Sequence, residues 1–469
     1  MDIRHSPWRD QILGVDTVVP VLGGRERPYV NLDNAASTPP LKSVVDAVHR
    51  FLPWYASVHR GSGFKSKLST WLYEEARTKV LEFVGADPDR YVVIFVGNTT
   101  EAINKLAWHL RKVYGEAAVL TTLMEHHSND LPWRRCGQLL RLPLDAWGCP
   151  QFDYLEDQLR NQGGRIKLVA VTGASNVTGV VTPIHDIARI AHRYGAHVFV
   201  DAAQLAPHRR IRMVGDGDGD SAIDFLAFSA HKMYAPFGSG ALIARRDLLT
   251  ADEPWEVGGG TVRVVTPSAV IYANAPESEE AGSPNVVGVL ALAAAIDWFR
   301  TTGMDAVEQF ERELTRAAWK TLISVPGIQL YGPPVQETGP ERLGVFAFNL
   351  PGWEHGHLAA VLSYEFAIGV RNGCFCAQPY LRAILGLSQE PQPLAPSSGE
   401  RSSVPGAVRA SLGLYNTLEE IEYLANALRD LATGRHKPAV YTRTDWGEYL
   451  PKEGGFDARR FCLGRILAQ

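Results

Sequence analysis

Lys232 and Asp201 each stand where an apolar run gives way to a polar turn, and together they define a chemistry. Lys232 follows Asp224-Phe-Leu-Ala-Phe-Ser-Ala-His and precedes Met-Tyr-Ala-Pro-Phe-Gly, so a strand would empty into a glycine-bearing exit with an amine at its mouth. Desolvation at such a place favours the neutral amine, the form that condenses with a carbonyl. Asp201 closes Val198-Phe-Val-Asp-Ala-Ala-Gln, and a carboxylate so placed is the type of group that keeps a pyridine nitrogen protonated. An amine and an acid at neighbouring strand ends therefore point to an aldehyde-bearing pyridine coenzyme, pyridoxal phosphate.

Such a coenzyme needs a phosphate cradle and a ring partner. Phe95-Val-Gly-Asn-Thr-Thr-Glu-Ala-Ile-Asn sets a glycine and two hydroxyls between a strand and a helix expected to begin near Glu101. Amides at a helix start, with Thr99 or Thr100, can hold a dianion. Taken alone the motif reads better as an ordinary N-cap by one of the threonines; Ser229 and His231, flanking the lysine, tip it towards phosphate. Leu123-Met-Glu-His-His-Ser-Asn follows another strand end. Adjacent residues on an extended segment point apart, and no cysteine, histidine or aspartate completes a zinc-type spacing, so the pair is not read as a metal site. His126 is expected to stack on the ring.

Six apolar runs (residues 91–96, 117–122, 167–171, 197–200, 224–228 and 241–244), most followed by a turn and a helical pattern, predict an α/β fold with a mostly parallel sheet covered on both faces. Ligands of such sheets lie at the carboxyl ends of strands, where Asp201 and Lys232 fall. A long helical stretch over 284–325 is expected to lead into a smaller α+β domain with a strand at 344–350, a helix at 354–366, a strand entering Val370-Arg371 and a final helix at 418–431. The expected division is an N-terminal segment (1–30), a large coenzyme-binding domain (31–295), a small domain (296–432) and a tail (433–469). Residues 388–405, rich in proline and serine, read as a surface-loop insertion. The 469 residues carry 47 basic and 51 acidic side chains, a net charge of −4, which gives no basic field for nucleic acid. No apolar run approaches a membrane span, and the N-terminus does not read as a signal sequence, so a cytoplasmic location is expected. Five cysteines are too few for a disulfide framework and suit a reducing compartment.

These motifs, with Asn31-Leu-Asp-Asn-Ala-Ala-Ser-Thr-Pro, Ser175-Asn-Val-Thr-Gly, Glu280-Ala-Gly-Ser-Pro-Asn, Arg371-Asn-Gly-Cys-Phe-Cys-Ala-Gln-Pro and Arg409-Ala-Ser-Leu-Gly-Leu-Tyr-Asn-Thr, resemble the class V aminotransferase superfamily of fold type I pyridoxal phosphate enzymes. Within it the likeness is to the group II cysteine desulfurases, the branch that includes selenocysteine lyases, and it runs over roughly residues 28–432. The resemblance implies that Lys232 is the coenzyme-linking lysine, Asp201 the partner of the pyridine nitrogen, Gln204 the partner of the phenolic oxygen and His126 the stacking histidine of the catalytic centre. It also implies that Thr99 or Thr100, Ser229 and His231 cradle the phosphate, and that Ser283 reaches it across a homodimer interface. Asn176 and Arg409 are implied to bind the substrate carboxylate, a task that suits a guanidinium fork, and Arg371 to assist.

Cys376 matches the family cysteine that takes sulfur from the amino-acid substrate as a persulfide, releasing alanine and handing the sulfur to an acceptor. A lone cysteine here would otherwise read as a small apolar loop residue. Cys374 and Phe375 depart from the polar residues usual at those points, and Cys374-Phe-Cys resembles the arrangement in molybdenum-cofactor sulfurases. The expected activity is L-cysteine desulfuration, with selenocysteine cleavage beside it; the alternative is a class V enzyme of specialised metabolism acting as a C–S lyase, aminotransferase or epimerase. The longer spacing between Cys376 and Arg409 coincides with residues 388–405 and reads equally as a device at the site's mouth or as a neutral loop. Cys136, Cys149 and Cys462 sit in no motif and are expected to be structural.

Overall fold

The computed structural model describes residues 2–455 apart from 218, 250–252, 337–338, 390–404 and 446. The proline- and serine-rich insertion and Cys462 thus fall almost wholly outside the described residues.

The apolar runs form one seven-stranded sheet from β1 (Tyr91–Val96), β2 (Ala118–Thr122), β3 (Leu139–Leu142), β4 (Ile166–Thr172), β5 (His197–Asp201), β6 (Phe225–Ser229) and β7 (Gly240–Arg245). Their order is β1-β7-β6-β5-β4-β2-β3. All run parallel except β7, which pairs antiparallel with β1 and β6. β1, β2, β6 and most of β4, β5 and β7 are buried on both faces, which is why they read as unbroken apolar runs rather than alternating ones. The carboxyl ends of β1, β2, β4, β5 and β6 share one edge of the sheet, so the segments after Val96, Thr122, Thr172, Asp201 and Ser229 all issue there.

After β1 comes α1 (Thr99–Tyr114). The expected long helix is two helices, α2 (Val286–Thr302) and α3 (Met304–Ile323), bent by 80° at Gly303, whose φ of 84° suits glycine alone among common residues. α2 is apolar nearly all round because it is buried, and no single described helix is long and apolar enough to cross a membrane.

A second sheet of four antiparallel strands has the order β8 (Gln329–Leu330), β9 (Val345–Asn349), β11 (Ala407–Ser411), β10 (Arg371–Gly373). Its helices are α4 (His355–Phe366), α5 (Gln378–Ile384) and α6 (Leu418–Ala432). The N-terminal segment packs on this part of the chain: Arg9 pairs with Glu420, and Val30-Asn31 lies parallel to Ile368-Gly369. So does the tail, whose role the sequence left unread. Its hairpin of β12 (Tyr441–Arg443) and β13 (Tyr449–Pro451) lies on α4, with Tyr449 stacked on His357 at 4.9 Å and Tyr441 donating to Glu365.

Candidate active site

A cavity of about 350 Å³ opens at the carboxyl edge of the large sheet, within the roughly 300–1,000 Å³ typical of small-molecule sites. Thr99, Thr100, His126, Asn176, Asp201, Gln204, Ser229, His231, Lys232, Arg371, Cys376 and Arg409 all line it. Residues dispersed over three hundred positions therefore converge on one space. Ser283 is the exception: within one chain it lines a separate cavity of about 710 Å³, beside Tyr55, His59, Arg60 and Arg263.

At the cavity wall Lys232 ends the short 3-10 turn after β6. Burial, with the nearby Arg409 charge and despite Asp201, pulls its ammonium from 10.5 down to about 8. Asp201 is buried, and burial raises its pKa against the Ala203 amide, which donates to Oδ1 at 3.0 Å, and the Lys232 charge. A buried carboxylate so placed suits a cationic ring nitrogen. Gln204 is held by donating Nε2 to the Ala35 carbonyl at 2.7 Å.

The helix after β1 starts two residues earlier than expected. Asn98, not a threonine, is the N-cap, its side chain accepting from the Glu101 amide. The N-cap reading of Thr99 and Thr100 is thereby overturned: they occupy the first two helical positions. Thr99 N–H is taken by Ser229 Oγ at 2.9 Å, and the Thr99 and Ser229 hydroxyls meet at 2.7 Å. The first-turn amide of Thr100 has no partner inside the helix. Small hydroxyls and a helix start thus form an anion-ready corner, with His231 at its rim, kept neutral by burial that lowers its pKa to about 4.

His126 is positioned from behind. Glu125, buried, accepts from Thr122 Oγ1 at 2.7 Å and Asn129 Nδ2 at 2.6 Å, and burial pushes its carboxyl up to about 8. The Ser128 amide donates to His126 Nδ1, which places the ring proton on Nε2. Burial, together with the Lys232 charge, drops the imidazole to about 3, so its face is that of a neutral ring.

Arg371 and Arg409 are cross-strand neighbours on β10 and β11. Like charges so placed repel, and Asp33 relieves this, accepting from Arg409 Nη2 at 2.9 Å and lying 3.6 Å from Arg371 Nη1. Arg409 also donates to the Asn176 carbonyl and lies 5.1 Å from the Phe375 ring. Phe375, a departure from the family pattern, is thus a buried cover over the guanidinium. Asn176 donates Nδ2 to the Phe375 carbonyl at 2.7 Å. Asp33 was legible only as part of a motif, and its role depends on a strand pairing that no residue type announces.

Cys376 is exposed at the cavity's edge; Cys374 is half-buried, and both are free. Phe375 and Cys376 both adopt φ of 54°, a left-handed conformation that costs non-glycine residues of order 1–3 kcal/mol each. Cys136 and Cys149 are buried, and burial raises both thiols to about 11, in keeping with structural roles. Among the described residues no cluster of three metal-ligating side chains occurs.

The donor set fits pyridoxal phosphate: an amine of lowered pKa, a buried carboxylate, a neutral imidazole and an anion-ready helix start. One consequence is measurable. Because the neutral amine is the reactive form, covalent attachment of the coenzyme to the cofactor-free protein should quicken as pH rises through about 8 and level off above it. A rate still climbing towards the ordinary lysine value near 10.5 would show that the amine is not perturbed.

The class V aminotransferase family profile matches residues 30–424. A cysteine desulfurase from Enterobacter sp. (strain 638) is 37% identical over 411 residues, covering 86% of this chain and 93% of that protein. Two solved structures are similar throughout. The apo cysteine desulfurase of Thermococcus onnurineus NA1 has a TM-score of 0.75 and 33% identity, covering 87% of this chain and 95% of its own. The Escherichia coli cysteine desulfurase CsdA, in an S-sulfonic acid form, has a TM-score of 0.75 and 30% identity over 92% of this chain and 98% of its own. With the profile spanning most of its length and relatives above 30% identity along it, this chain belongs to the class V aminotransferase family.

Proposed function

We propose that this protein is a pyridoxal phosphate-dependent cysteine desulfurase of the group II branch, converting L-cysteine to L-alanine and carrying the sulfur as a persulfide on Cys376. Selenocysteine, with the same carbon skeleton, is a second substrate. The observation that carries the reading is one cavity presenting an accessible thiol, Cys376, together with the lysine, aspartate and arginine that an amino-acid reaction needs. Relatives that share more than a third of their residues with this chain and bear the name cysteine desulfurase support it.

The coenzyme, when bound, supplies an electron sink that makes the Cα proton and the side-chain sulfur of the amino acid labile. The chain's own residues do the rest. Lys232 would hold the coenzyme aldehyde and, as a free amine of lowered pKa, would be the base that takes the Cα proton and the acid that returns it. Asp201 would keep the ring nitrogen protonated, His126 would offer the ring a neutral face, and Gln204 would partner its phenolic oxygen. Thr99, Thr100, Ser229 and His231 would hold the phosphate. Arg409, fixed by Asp33 and the Asn176 carbonyl, offers its remaining N–H groups to the substrate carboxylate with Arg371 at the rim. This orients the substrate sulfur towards Cys376 Sγ. The thiolate attacks that sulfur, an S–S bond forms as the C–S bond breaks, and the carbon takes up a proton on the way to alanine.

A second copy of the chain would supply Ser283 to the phosphate, making the protein a homodimer, and a protein acceptor would collect the sulfur. A cytoplasmic location suits a working thiol. Arg409→Lys should raise the KM for L-cysteine about ten- to hundredfold with a smaller change in kcat, since it removes the fork that binds the carboxylate. An unchanged KM would remove Arg409 from that role. The reading as a whole is tested by incubating the protein with L-cysteine, coenzyme and a reductant: alanine and sulfide in equal amounts support it, and a keto acid or D-amino acid as product refutes it.

A further inference from the structure

The turn that carries Cys376 is held in its left-handed conformation from outside. Inside the turn, Ala377 N–H bonds to the Cys374 carbonyl at 2.9 Å. From β4's exit, Asn176 takes the Phe375 carbonyl at 2.7 Å. The remaining anchors come from one residue that the proposed chemistry does not use. His127 N–H donates to the Cys376 carbonyl at 2.6 Å, and His127 Nε2 accepts from the Gln378 amide at 3.1 Å. Gln378 is the first residue of α5, so its N–H is among the donors a helix cannot satisfy itself. One histidine thus fixes the chain as it leaves Cys376, bonding the Cys376 carbonyl and the amide two residues on.

We propose that His127 is a positioning residue for Cys376: its imidazole caps α5 and, with its backbone N–H, locks the strained thiol-bearing turn onto the loop that carries His126. The assignment rests on Cys376 being the sulfur-accepting thiol, but the tether itself does not. Accepting at Nε2 puts the ring proton on Nδ1 and requires a neutral ring, and burial lowers the pKa of His127 accordingly. The arrangement couples two elements that must meet at one substrate. The loop that carries the His126 imidazole and the turn that carries the thiol are joined because adjacent residues, 126 and 127, serve them.

The test separates the imidazole from the backbone bond, which any residue at 127 retains. In the coenzyme-loaded protein, His127→Ala should speed hydrogen exchange of the Gln378 amide about tenfold or more and lower kcat for alanine release about tenfold, with KM for L-cysteine changed less than about threefold. His127→Gln, whose carbonyl oxygen can accept the same bond, should restore exchange and kcat to within about threefold of the parent. Unchanged Gln378 exchange in His127→Ala, or failure of His127→Gln to recover either quantity while coenzyme binding is normal, would overturn the proposal. If exchange follows the prediction yet Cys376→Ser releases sulfide undiminished, the tether stands and Cys376 loses the sulfur-accepting role.

Discussion

Lys232→Ala abolishes covalent attachment of the coenzyme and lowers alanine production from L-cysteine by about a thousandfold or more, the share that a positioned acid–base group alone contributes. The attachment is read directly. Borohydride reduction followed by denaturation and dialysis leaves coenzyme on the parent polypeptide and none on the variant. The phosphate corner, Asp201 and His126 are untouched by the substitution, so the variant still binds coenzyme reversibly. A variant that retains coenzyme after reduction and denaturation would assign the linkage to another amine.

Cys376→Ser separates coenzyme chemistry from sulfur transfer. Serine is close to cysteine in size, so the coenzyme band should persist unchanged. A serine hydroxyl at its ordinary pKa is a far weaker nucleophile than a thiolate, and sulfide release should drop about a thousandfold. Undiminished release would place the sulfur acceptor elsewhere. Cys374, two positions earlier in sequence, is half-buried, with its carbonyl bonded to the Ala377 amide.

The parts of the fold that read from sequence are those governed by local pattern. β1, β2, β4, β5 and β6 are buried runs bounded by turns, and their residues at the exits, Thr99, His126, Asn176, Asp201 and Lys232, do meet at one edge as a parallel sheet requires. Direction was less legible: β7 has the same apolar character as its neighbours and runs the other way because its short link after Lys232 allows only a reversal. The break at Gly303 was hidden by apolar periodicity continuing on both sides. The tail hairpin was unreadable because Tyr441–Arg443 and Tyr449–Pro451 are short, and their order comes from packing on His357 and Tyr364. In the site, the residue types announced the lysine and the aspartate, and the family resemblance pointed to the arginines and the thiol. The devices that aim them did not show: Asp33 between two arginines, Phe375 over Arg409 and His127 anchoring the chain after Cys376 depend on segments far apart in sequence that the fold brings together, and Asn98 caps α1 where a threonine was as good a candidate.

Most direct of all is to find the sulfur itself. The coenzyme-loaded protein is exposed briefly to L-cysteine without reductant, its free and persulfidic thiols are alkylated, and its peptides are mapped by mass. One added sulfur atom on the peptide bearing Cys376, removable by a reductant and accompanied by one alanine per sulfur, is the predicted result. Alanine formed with Cys376 unmodified, or added sulfur confined to another cysteine, would contradict the account.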